Sequence, residues 1–141
     1  GESTDSKHKG EIDVLSWSWG LGPKASPGQK MGSNSTCAQQ LALTKYVDSA
    51  TPQLITNAVL GAVSSKATLA VQRPGGSDYL VINLKNVMIS SLSTGGSGGE
   101  DRPTENVTLS FASADVIYRP QKEDGTSNGS EVTATVPGSC P

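Results

Sequence analysis

Three observations predict a mainly β protein with one helix. Six stretches alternate apolar and polar residues with period two, one stretch repeats its apolar residues with helical spacing, and Gly (16) and Pro (8) punctuate the rest. With only six aromatic residues and 34% hydrophobic residues, the core must be thin and built from Val, Leu, Ile and Ala. At 141 residues the default is one domain, which hides roughly two-thirds of the unfolded surface.

In chain order, residues 11–19 read as a strand with Leu15, Trp17 and Trp19 on one buried face. Residues 20–36 hold glycines, two prolines and few apolar side chains, and are expected to form a long loop. Residues 41–46 are a second strand. Thr51 is placed to cap a helix with Pro52 at its first position, and Leu54, Ile55, Ala58, Val59 and Ala62 form its apolar stripe. Residues 66–73 and 79–92 flank Pro74-Gly75-Gly76 as a hairpin, and the apolar phase of the latter changes after Leu84, which predicts a bulge near Lys85 and Asn86. A glycine-rich loop at 94–105 leads into a strand over 106–119, with a second bulge near 112–114. Val132, Ala134 and Val136 mark a final strand expected to pair with residues 115–121, followed by a mobile tail at 137–141.

Composition narrows the function. The net charge of −2 lacks the basic excess that phosphate neutralisation requires, which argues against nucleic acid as partner. No apolar run approaches the roughly 18 residues of a membrane helix, and no signal peptide is visible. The glycine-rich loop has no lysine and precedes a strand, so it lacks the context of a phosphate loop. Glu100 and Asp101 could serve as acid and base in a hydrolase only inside a cleft that the sequence does not supply; exposed carboxylates beside Arg102, available to a neighbouring subunit, are the simpler expectation. His8, the one histidine, sits between Lys7 and Lys9 in a polar stretch with no evident rigid support, a poor setting for a general base or a metal. No cofactor is expected. Trp17 and Trp19 are expected to pack in the core or a subunit interface, the rival being a ligand platform on an extracellular β-sandwich binding or adhesion module. Cys37 and Cys140 fit no metal spacing and leave three states open: two separate thiols, a bond within the chain, or one between subunits with Cys140 stapling neighbours.

Three segments, GESTDSKHKGEIDVLSWSWG, LTKYVDSATPQL and STGGSGGEDRPTENVTLSFA, occur in this order. In sequence and order they resemble the Hcp family, the haemolysin-coregulated proteins of bacterial type VI secretion, over residues 1–121. The resemblance implies a compact β-barrel of two antiparallel sheets flanked by one helix, and homo-hexameric rings that stack into a hollow tube or filament. It further implies no catalytic residues, other secretion-tube components and small effector cargo as partners, and assembly in the bacterial cytoplasm before export. By resemblance, residues 21–35 form the arm between stacked rings, with Pro23, Lys24 and Lys30 as interface candidates alongside Lys7, His8, Lys9, Trp17, Trp19, Glu100, Asp101 and Arg102. The family's short strand before the GES motif and its lysine-histidine turn after the helix have no counterpart here, where Gly61-Ala62-Val63-Ser64 follows the helix. The first difference predicts an open strand edge.

Overall fold

A computed structural model describes residues 1–23, 36–74, 76–99, 101–123 and 128–140. The elements are β1 (Val14–Ser18), β2 (Leu21–Pro23), β3 (Thr36–Ala38), β4 (Leu41–Tyr46), α1 (Thr51–Leu60), β5 (Val63–Gln72), β6 (Asp78–Gly95), β7 (Thr104–Ser110), β8 (Ser113–Tyr118) and β9 (Val132–Pro137). The fold is mainly β with one helix, as the periodicities predict, and every register between paired long strands described is antiparallel. β2 and β3 form a separate pair.

The chain divides into two compact units. In the first, the order is β1-β4-β7 and then the 88–95 half of β6, with α1. β4 obeys its alternation: Leu41 opposes Leu109 and Leu43 opposes Val107, and Leu41 and Val107 are buried. The helix starts where the sequence places it, but Thr51 is its first residue and not its cap. Ala50, which has no side-chain acceptor, holds the cap position and its amide donates to Asp48 Oδ1 at 3.0 Å, while the Thr51 hydroxyl accepts from the Asp48 amide at 3.0 Å and donates to Glu105. Gly61 ends the helix at φ +61°, a left-handed conformation that suits glycine. The expected apolar stripe is only half covered: Leu54 and Ala58 are half-buried, whereas Ile55 and Val59 face solvent.

In the second unit the 78–87 half of β6 pairs with β8, β8 pairs with β9, and β5 pairs with β6. Its core is Val81, Ile82, Leu84, Val87, Phe111, Ala114 and Val136. The phase change predicted after Leu84 is present: Asn86 takes φ +52°, so the buried set passes from Ile82 and Leu84 to Val87. The second predicted irregularity is the break at residues 111–112 that separates β7 from β8. β9 pairs with residues 113–118, slightly earlier than expected, and of its three predicted inward residues only Val136 is buried.

Candidate assembly surface

The polar stretch before β1 is a folded loop, contrary to the expectation that it lacks support. Ser3 is buried, its amide donates to the Glu11 carbonyl at 3.0 Å, and its own carbonyl accepts from the Gly10 amide at 2.9 Å. Within this frame Asp5 Oδ1 accepts from the Lys7 amide, and His8 Nδ1 lies 2.6 Å from Glu11 Oε2. The loop is tied to the start of the helix by Ser49, whose amide donates to Glu2 Oε2 at 3.3 Å. Lys7 and Lys9 are exposed, while His8 is held by Glu11 and keeps 23% of its side-chain surface. That gives charged groups in fixed positions, which a contact surface requires and a free tail lacks.

β1 departs from its expected pattern. Val14 pairs with Lys45 but Ser16 pairs with Thr44, so Leu15 is an extra residue that shifts the phase of everything after it. Trp17 therefore opposes Leu43 on the inward-facing side of β4, whereas Leu15 lines an open groove with Tyr46, Asp101, Arg102 and Thr104. The single buried face predicted for Leu15, Trp17 and Trp19 does not exist. Leu15 is 49% and Trp17 38% exposed, because among the described strands β1 ends the strand order and pairs with β4 alone. Trp19 lies beyond the strand and is half-buried.

Above the groove the Arg102 guanidinium stands 4.3 Å from the centre of the Tyr46 ring, close enough for a cation–π contact. The Pro103 carbonyl accepts from the Val47 amide at 3.0 Å and anchors the end of the glycine-rich loop beside it. The structure thus brings Asp101 and Arg102 together with Leu15, an apolar side chain with charges at its edge. Asp101 is exposed, and no group of three His, Cys, Asp or Glu side chains gathers among the described residues. Glu100, Lys24 and Lys30 lie outside the described residues, and Pro23 ends β2.

Beneath this surface lies a buried charged cluster that the sequence reading missed. Lys45 and Glu105 oppose one another on β4 and β7, with Nζ 2.9 Å from Oε1 and side chains 1% and 0% exposed. Lys45 also donates to Asp48 Oδ1 at 3.0 Å, and the Thr51 hydroxyl donates to Glu105 Oε1. Burial alone would raise the Asp48 carboxyl, but the hydrogen bonds from Lys45 and the Ala50 amide, with the lysine's charge, outweigh it and hold the carboxyl below its ordinary value. Glu105 Oε2 accepts no hydrogen bond. Charges are buried without ruin only when paired in this way, and the pairing fixes β4, β7 and the helix start that support the groove. A signal for it existed: Lys45 continues the Leu41-Leu43 phase, and Glu105 continues that of Val107 and Leu109.

Cys37 and Cys140 form a disulfide within the chain, with Cα atoms 5.1 Å apart. This corrects the idea that Cys140 staples neighbouring subunits, since its sulfur is already bonded. Residues 137–140 are likewise no free tail: Cys140 and Ser139 donate through their amides to Ala38 and Phe111.

Comparison with known proteins agrees with this architecture. Residues 1–118 match the family model described as "Type VI secretion system effector, Hcp". The chain is 48% identical over 137 residues to Protein hcp1 of Pseudomonas aeruginosa, covering 94% of this chain and 85% of that protein. Among solved structures it is similar to Hcp1 from Salmonella typhimurium (TM-score 0.81, 30% identity, covering 97% of this chain and 87% of that one). It is also similar to a type VI secretion system effector from Yersinia pestis (TM-score 0.79, 27% identity, covering 97% and 92%). A mainly β chain with one helix, the three ordered sequence segments and a family match over most of its length lead to one conclusion: this chain belongs to the Hcp family of type VI secretion system proteins.

Proposed function

We propose that this chain is a structural subunit that forms homo-hexameric rings, and that the rings stack into a tube through which small effector proteins travel and which is itself exported. The chain's part in this is to present surfaces to copies of itself, with no reaction and no cofactor. The observation that carries the reading is the groove of Leu15, Tyr46, Asp101 and Arg102 beside β1, the last strand in the order among the described residues. An exposed apolar side chain flanked by opposite charges on a firm base has the pattern of an interface core and its polar rim. The fixed positions of Lys7, His8 and Lys9 supply a second charged contact. A closed ring needs two unlike surfaces on each subunit, and those two stretches are the candidates.

Arg102→Ala tests this. Its guanidinium touches no core residue in the contacts described, so the monomer is expected to keep its circular dichroism spectrum and melting behaviour. Native mass spectrometry and negative-stain images are expected to show annular particles for the unaltered protein and a shift to smaller species for the variant. Strict monomers of the unaltered protein across concentration and salt would refute the reading.

A further inference from the structure

We infer that Cys37 and Cys140 form a reversible redox latch over residues 138–140. These residues lie between two others that offer main-chain partners. On one side Ala38 donates its amide to the Gly138 carbonyl at 3.1 Å and accepts from the Cys140 amide at 2.8 Å, forming a parallel bridge with Ser139. On the other, the Phe111 carbonyl accepts from the Ser139 amide at 3.0 Å, and the Phe111 amide donates to Ser139 Oγ at 3.0 Å. The fit is close: a Cβ added to Gly138 would stand 2.7 Å from the Ala112 carbonyl oxygen. Yet β9 ends at Pro137, and among the described residues a bridge, a few hydrogen bonds and the disulfide hold residues 138–140 in place. A short segment outside the strand ladder, held by so few of the bonds described, opens locally at low cost once its covalent tie is removed.

The two cysteines differ in exposure. Cys37 is buried at 6% exposure, whereas Cys140 is half-buried, which makes Cys140 Sγ the point of attack. The thiolate of a small thiol bonds to Cys140 Sγ and expels Cys37 as a thiolate, which takes up a proton. A second thiolate then displaces Cys140, so the reductant leaves as its disulfide and both cysteines end as thiols. Oxidation by a small disulfide runs the same steps backwards. In a reducing compartment the segment is released and uncovers the main chain at Ala38 and Phe111; in an oxidising one it is fastened. The latch does not depend on ring formation.

Hydrogen exchange of the whole chain, oxidised and after dithiothreitol, reads the latch directly. Reduction is expected to speed exchange at the amides of Ala38, Phe111, Ser139 and Cys140 by at least about ten-fold, while amides of the β6–β8 ladder in the same unit remain protected. Oxidised glutathione is expected to restore the slow rates, and Cys37→Ser/Cys140→Ser to show the fast ones without reductant. Unchanged rates on reduction would mean that the hydrogen bonds suffice alone, and loss of protection throughout the β6–β8 ladder would mean that the bond staples the whole second unit; either overturns the latch. If the double variant fails to fold, the reduction and reoxidation of the unaltered chain decide.

Discussion

The first compact unit fastens distant segments with buried charge, and the second does so with a covalent bond. Lys45 and Glu105 lie 60 positions apart in sequence, Cys37 and Cys140 103 apart. Both ties solve one problem: a thin core, poor in aromatic side chains, has little apolar area with which to hold a helix start or a chain end. They differ in what undoes them. The ion cluster is indifferent to thiols and sensitive to protons, whereas the disulfide is indifferent to acid and sensitive to electrons. Two units of one chain therefore fail under different conditions.

The largest effect is expected from Lys45→Met, which leaves Glu105 and Asp48 buried without their cation and costs about 3–5 kcal/mol in urea denaturation. Adding Glu105→Leu removes the stranded charge and is expected to recover most of that loss. A double variant no better than the single would show that the lysine stem, and not its charge, matters. Next comes loss of the disulfide: Cys37→Ser/Cys140→Ser should cost about 2–4 kcal/mol, because the unfolded chain regains the freedom of a long loop. Lys45→Met must keep its deficit in dithiothreitol, and the cysteine variant must lose its difference from the unaltered chain there. If both deficits respond to reductant alike, the contrast between the units is wrong.

The smallest of the three concerns acid. The folded-state value of the Asp48 carboxyl is lowered, so its stabilisation is present above the ordinary carboxylate range and lost as pH falls through the lowered value. Asp48→Asn is expected to cost about 1.5–3 kcal/mol at neutral pH, as loss of a hydrogen bond to a charged group does, and much less near pH 3 by the same urea measurement. A deficit independent of pH would assign Asp48 a purely geometric role.

Much of this was legible in the sequence where a local rule decides. β4 is readable to its ends from alternation alone, the helix is placed by Pro52 and its spacing, and the irregularity near Lys85 and Asn86 follows from the change of apolar phase. Features that depend on a partner strand are not legible in this way. The β1 bulge is hard to see without β4 beside it, because LSWSW alternates on its own and the adjacent pair Val14-Leu15 is the one break in phase, and the apolar residues it exposes look like core. Lys45 and Glu105 escape notice because a lone charge in a strand reads as solvated until the opposite charge is known to face it. The cysteines stay open for the same reason: separation in sequence carries no information about the 5.1 Å between their Cα atoms.

The extra residue in β1 has a consequence for how this strand can vary. Since Val14 and Ser16 already pair with adjacent positions of β4, losing one residue of the Leu15-Ser16 pair would close the bulge and leave Trp17 opposite Leu43. Chain length at this edge is thus free to drift by one amino acid at the bulge, and related sequences aligned here should show their gap at Leu15 or Ser16 and nowhere else in the strand.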